Sequence, residues 1–203
     1  MELKSSFVSD LNNEKRLAVL LDKYYKKYLK KYYFKRVSTG IEQRKGVDVK
    51  FIHKKTKQEF LIDEKAQLDY LNNNLPTFAF EIYYTKGECD KPGWLFDPLK
   101  ITEFYSLITG IYEEEKEFAF CNITFVNRNK LICFLKDLGI TKKSLLEIFN
   151  SAGREHGKIK VDFLNEKNEG YLFYSKSNKA ERPLNLILKL DWLVRSGVAK
   201  RLV

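Results

Sequence analysis

Residues 46–67, GVDVKFIHKKTKQEFLIDEKAQ, constrain the fold more than any other stretch of the chain. Two runs rich in β-branched and aromatic residues, Val47–His53 and Phe60–Gln67, flank a lysine-rich turn at 54–58, the pattern of a β-hairpin. Alternate residues of a strand share a face, so Asp63, Lys65 and Gln67 line one side of the second run. Phe60, Ile62 and Ala66 take the other side, interrupted by Glu64. Asp48 sits in the first run between Val47 and Val49. Two aspartates and a lysine in otherwise apolar strands are not explained by hydrophobic burial, which disfavours them there.

Upstream, residues 10–31 read as a helix with Asp10 or Asn12 as its cap and Leu17, Leu20, Leu21, Tyr24 and Tyr28 as its buried face. Glu14 falls near the N-terminal end of that face, and Lys23, Lys26, Lys27 and Lys30 fall off it. Tyr32–Val37 reads as a strand and Ser38–Gly46 as a loop. Downstream, Thr77–Thr85 and Phe118–Val126 are predicted strands, Gly93–Phe96 a short one, and Asp97–Thr109 a helix. The acidic run Glu113–Glu117 reads as a surface turn. Asn129–Leu138 and a second segment capped by Thr141 and stopped by Gly153 read as helices. Residues 158–164 and 170–175 pattern as a late hairpin, Leu184–Leu190 as an apolar strand and Asp191–Lys200 as a terminal helix. The order predicts an α/β fold with a mixed central sheet flanked by helices, core 1–126, followed by a C-terminal α+β elaboration, 127–203, packed on the same domain.

The net charge of +10 is unevenly spread. Residues 1–57 carry 16 Lys/Arg against 6 Asp/Glu, whereas residues 58–203 carry 21 of each. An excess confined to one quarter of the chain points to a polyanionic partner, with a solvated lysine-rich helix face as the alternative. Apolar runs of only a few residues predict no membrane span, and the charged start MELKSS predicts no signal segment. Cys89, Cys121 and Cys133 lack metal-ligand spacing and are odd in number, so free thiols in a cytoplasmic protein are expected. No GxSxG, GxGxxG or GxxxxGK[ST] occurs, which argues against a hydrolase triad and against a nucleotide cofactor.

Two carboxylates converging from neighbouring strands repel unless a cation lies between them. Mg2+ prefers such oxygen ligands and completes its shell with water and phosphate. A lysine two residues past Asp63 points to the same side, where it can orient an attacking water or offset charge on a phosphate. An Asp63–Lys65 ion pair on an exposed hairpin is the plainer reading, and a register slip of one would turn Glu64 instead of Asp63 towards Asp48. Glu81, inside TFAFEIYY, is either a further ligand or a solvated position, and Trp94 and Tyr105 are either core residues or surfaces for base stacking.

Asp48 in GVDV, Asp63-Glu64-Lys65 fifteen residues on, and the apparent hairpin between them resemble the PD-(D/E)XK nuclease superfamily, which includes restriction endonucleases and Holliday-junction resolvases. Val47 stands where the name-giving proline would be, and the helix that normally follows the acid-x-lysine strand is not obvious in Leu68–Leu75. The resemblance implies a restriction-endonuclease-like sheet and a Mg2+-dependent endodeoxyribonuclease, with Mn2+ as a substitute ion. It implies Asp48, Asp63 and the Glu64 backbone carbonyl as metal ligands, Glu14 as an accessory ligand, Lys65 as the water-positioning group and Gln67 as its support. DNA is the implied partner, held by Lys23, Lys27, Lys54, Lys55 and Lys57, with a homodimer needed for double-strand cutting and Glu81 as an auxiliary residue. A non-catalytic nucleic-acid-binding or complex-forming protein on the same fold is the second expectation.

Overall fold

The computed structural model describes residues 7–38, 40–87, 89–176 and 181–203; the expectation drawn from the first six residues lies outside them. The elements up to the end of the hairpin are α1 (Phe7–Tyr28), β1 (Tyr32–Arg36), α2 (Gly40–Arg44), β2 (Val49–His53) and β3 (Glu59–Ala66). After a single 3-10 turn at Leu68–Tyr70 come β4 (Thr77–Lys86), β5 (Cys89–Pro92), β6 (Phe104–Glu114) and β7 (Glu117–Asn127). The remainder is α3 (Arg128–Asp137), α4 (Lys142–Ser151), β8 (Gly157–Ile159), β9 (Gly170–Tyr174), β10 (Leu184–Lys189), α5 (Leu190–Arg195) and β11 (Ala199–Arg201). The α/β class therefore holds, as two sheets with five helices among the described residues. None of these helices is long and apolar enough to cross a membrane.

The chain divides into two compact units, and not at residue 126 alone. The first comprises Ser5–Leu75, Leu99–Asn127 and Ala199–Val203; Pro76–Pro98 groups with Arg128–Val198 in the second. The first unit holds a six-stranded sheet in the order β1-β2-β3-β6-β7-β11. Its ladders are antiparallel except β3–β6, which is parallel and pairs Asp63 with Tyr105 and Lys65 with Leu107. A parallel pair needs a long connection, and here that connection includes the excursion of residues 76–98 into the second unit. The second unit holds an antiparallel sheet in the order β5-β4-β10-β9-β8.

In the first unit α1 packs on one face of the sheet through Leu17, Leu20, Leu21 and Tyr25, against Val49, Phe51, Ile62, Ile108 and Ile123. The helix starts at Phe7, so Asp10 and Asn12 lie within it instead of capping it. Its buried tyrosine is Tyr25, while the expected Tyr28 is exposed. Tyr25 tolerates burial because its hydroxyl donates to Glu64 Oε1 at 2.8 Å and shares a hydrogen bond with Ser106 Oγ at 3.1 Å.

The helix expected over 97–109 is a correction. Residues 104–114 form β6, because this segment pairs with β3 on one side and β7 on the other. Every residue from Tyr105 to Ile111 is buried, so the alternation that marks a half-exposed strand is absent. Likewise Gly93–Phe96 is not a strand, Cys89–Pro92 is, and the polar loop at 38–46 contains the short α2. The acidic turn is a tight one with Glu115 and Lys116 at positive φ, and α4 carries the expected Thr141 cap as a reciprocal capping box with Ser144.

Candidate functional site

Asp48 lies one residue before β2, and its backbone is held from both sides. Its N–H donates to Ile62 O at 2.9 Å and its C=O accepts from Val37 N at 2.8 Å. Its carboxylate Oδ2 accepts the Glu64 N–H at 2.8 Å, which fixes the side chain against the edge of β3. A strand residue directs its N–H and C=O to the same neighbour, so the Glu64 carbonyl leaves β3 on the side of Asp48.

Asp63 is 2 % exposed. Lys65 Nζ donates to its Oδ1 at 2.6 Å, and the Asp48 carboxylate lies within hydrogen-bonding reach. Burial raises the Asp63 pKa to about 7 and the Asp48 charge adds to the rise, while Lys65 opposes both. The Lys65 ammonium faces two carboxylates, one of them almost fully desolvated.

Glu64 points the other way, towards α1. It accepts from Tyr25 and from Arg36 Nη1 at 2.8 Å, and Arg36 Nε in turn donates to Asp22 Oδ1 at 2.9 Å. Burial raises the Glu64 pKa, against the guanidinium of Arg36 and the hydroxyl of Tyr25. Asp63 and Lys65, not Glu64, thus share the surroundings of Asp48, and the register slip does not occur.

The turn preceding Asp48 ends at Gly46, the last residue of the expected loop. Gly46 has φ +78°, and a Cβ placed there would lie 2.5 Å from Thr102 Oγ1 and 3.3 Å from Asp63 Oδ2. Thr102, buried, donates its hydroxyl to Gly46 O at 2.5 Å. The Lys100 stem also runs past this turn, and its Nζ donates to Arg44 O at 2.9 Å. A glycine before Val-Asp-Val is a visible mark of the turn, but Thr102 and Lys100 are 56 and 54 residues away from it in sequence and carry no local sign of belonging here.

The other expected residues lie on α1, in the hairpin turn, at the end of β3 and in the second unit. Glu14 is exposed on α1, about 16 Å along the helix axis from Tyr25 at 1.5 Å per residue. That helix covers the Glu64 face of β3, the face opposite Asp63. Lys23 and Lys27 are exposed on the same helix, the latter with Nζ 5.0 Å from the Tyr28 ring centroid. Lys54, Lys55 and Lys57 are exposed in the turn beyond the far end of β3, and Lys54 Nζ lies 5.0 Å from the Tyr33 ring centroid. Gln67 closes β3, its N–H donating to Ile108 O at 3.0 Å. Glu81 belongs to β4 of the second unit, in the other sheet, and Tyr105 is a core residue.

Among the described residues no three His, Cys, Asp or Glu side chains cluster closely enough to hold a metal by themselves. A cation here would take two carboxylates, a backbone carbonyl and water. That donor set is all oxygen and doubly negative, which suits Mg2+, an ion that keeps several waters, and does not suit a thiolate- or imidazole-seeking metal. No family model, curated protein or solved structure matches the chain.

Proposed function

We propose that this chain is a Mg2+-dependent nuclease that hydrolyses phosphodiester bonds of DNA, built on a restriction-endonuclease-like sheet. The observation that carries the reading is the Asp48–Asp63 pair with Lys65 Nζ 2.6 Å from Asp63. Asp48, Asp63 and the Glu64 carbonyl would hold the ion, which when bound supplies a water of lowered pKa and neutralises charge on the phosphate. Lys65 is tethered to Asp63, so its ammonium stays at the rim of the pair, where it orients the attacking water and offsets the charge developing on the phosphorane oxygens. Glu14 has no part in the ligand set, because α1 lies on the other face of the sheet.

The strand order also supports the reading: a helix, three antiparallel strands and a fourth strand parallel to the third. The departure is in the connection, where residues 76–98 take the place of a crossover helix.

The test is incubation of supercoiled plasmid with Mg2+ or Mn2+, beside Asp63→Ala and Lys65→Ala. Nicking or linearisation that needs the metal and disappears in both variants supports the nuclease. DNA binding that survives in the variants, with no cutting by any form, leaves the binding module as the function. Cutting that persists in Asp63→Ala overturns the assignment of the site.

A further inference from the structure

A cavity of about 230 Å3 lies within the second unit, between one face of α4 and the β4–β5 edge. On α4 the lining positions Lys142, Leu146 and Asn150 recur every four residues, which puts them on one helix face. Arg154 extends that face beyond the helix end. From the sheet come Tyr83, Asp90, Lys91 and Pro92, with Tyr83 and Pro92 paired across β4 and β5.

Three cations, Lys91, Lys142 and Arg154, therefore meet at one cavity. None of the three has a carboxylate partner among the described residues. Elsewhere in the unit lysines do find acids, as in Lys158–Glu166 at 2.5 Å. The guanidinium is also held in place: Arg154 Nε donates to Asn150 Oδ1 at 2.9 Å and its Cζ lies 5.5 Å from the Phe149 ring centroid. A planar donor fork fixed by its inner nitrogen presents its two outer nitrogens outwards, the geometry that meets a phosphate in two bonds. The one acid in the lining, Asp90, accepts the Thr85 hydroxyl at 2.9 Å; its second oxygen suits a hydroxyl or amino donor on the same ligand. Leu146, Pro92 and the Tyr83 ring offer an apolar wall for a flat ring.

We propose that this cavity binds a nucleoside monophosphate, free or at the end of a strand, with the phosphate among Lys91, Lys142 and Arg154. Size limits the ligand: the space is below the roughly 300 Å3 at which pockets for drug-sized ligands begin, and Asp90, Lys91, Pro92, Asn150 and Arg154 are exposed, so the site encloses only part of a single nucleotide. The site is separate from the Asp48–Asp63 pair and does not depend on the reading of that pair.

Calorimetric titration of the full chain in EDTA, which keeps any cleavage out of the result, tests the proposal. The probes are adenosine 5′-monophosphate, inorganic phosphate and a 5′-phosphorylated tetranucleotide. Adenosine monophosphate is expected to bind more tightly than inorganic phosphate and to weaken about tenfold in Arg154→Ala and in Lys142→Ala. Lys143→Ala, a neighbour outside the lining, is expected to bind as the wild type does, and near-ultraviolet circular dichroism identifies any variant that fails to fold. Arg154→Lys, which keeps the charge and loses the fork, should fall between. Tetranucleotide binding with the same losses assigns the ligand to a strand end; its failure to bind assigns the site to free nucleotides. The proposal is overturned if adenosine monophosphate gives no binding at millimolar concentration, if inorganic phosphate binds equally well, or if folded Arg154→Ala and Lys142→Ala bind unchanged.

Discussion

Asp63 and Glu64 are consecutive in sequence and leave β3 on opposite faces. Lys65 Nζ sits 2.6 Å from Asp63, whereas Tyr25 Oη and Arg36 Nη1 each sit 2.8 Å from Glu64. Burial raises the pKa of both acids, but their partners differ. Glu64 is matched by a guanidinium and a hydroxyl, and removing it takes one acceptor from Arg36, which keeps Asp22 and Ala18 O, and one from buried Tyr25, which keeps Ser106. Glu64→Ala is expected to lower unfolding free energy by about 2 kcal/mol or more, and Glu64→Gln by less because it keeps an acceptor for Tyr25. Urea unfolding followed by circular dichroism measures this, and a loss under about 0.5 kcal/mol for Glu64→Ala would mean that the network is solvated.

The charge on Asp63 is costly. Its pKa stands near 7 in the folded chain against an ordinary 3.8, chiefly through burial and secondarily through Asp48. Below pH 4 both folded and unfolded chains hold the proton and the group contributes no difference. Between pH 4 and 7 the unfolded chain has lost it and the folded chain has not, so stability falls as pH rises, and above 7 the full penalty applies. Asp63→Asn should thus match the wild type near pH 4 and exceed it by pH 8, by on the order of a few kcal/mol. Unfolding titrations in EDTA at pH 4, 5.5, 7 and 8 would show the divergence; parallel curves would show that Asp63 ionises freely.

The same penalty is what a divalent cation would relieve. Mg2+ or Mn2+ at saturating concentration is expected to raise the melting temperature of the wild type by several degrees at pH 8 and by less at pH 5.5, where protons compete for Asp63. Asp63→Asn should lose most of the shift, while Glu14→Gln should keep it, since Glu14 is on the helix that covers the other face. Equal shifts in the wild type and Asp63→Asn would place the ion somewhere else.

The hairpin was legible because it is local. Alternation in Phe60–Gln67 separates Asp63 and Lys65 from Glu64, and a turn of five residues leaves little freedom in pairing. The fate of Glu64 was not legible, because it depends on Tyr25 and Arg36, 39 and 28 residues away. β6 reads as a helix in sequence for a related reason: its neighbours β3 and β7 and full burial erase the two-residue period, leaving an apolar run that either element could make. For Glu14, periodicity gives the helix its buried face but not the face of the sheet that the helix covers. The division into units was hidden as well, since β4 pairs with β10 more than a hundred residues downstream.

Gly46 and Thr102 set the turn that delivers Asp48, and they yield the last prediction. Gly46 at φ +78° adopts a backbone conformation that a β-carbon disfavours, and alanine there would press on Thr102 Oγ1 and lie 3.3 Å from Asp63 Oδ2. The turn cannot open easily, because Gly46 O accepts from Thr102 and Gly46 N donates to Gln43 O at 2.9 Å. Gly46→Ala is therefore expected to lower stability by about 1–3 kcal/mol and to reduce plasmid cleavage more than global unfolding explains, since it displaces Asp48 relative to Asp63. Thr102→Ser keeps the hydroxyl and should retain cleavage; Thr102→Val keeps the shape, leaves Gly46 O without that donor, and should lose part of it. The comparison is made at a temperature where all variants are folded. Wild-type cleavage by Gly46→Ala would show that the position of Asp48 does not depend on this turn.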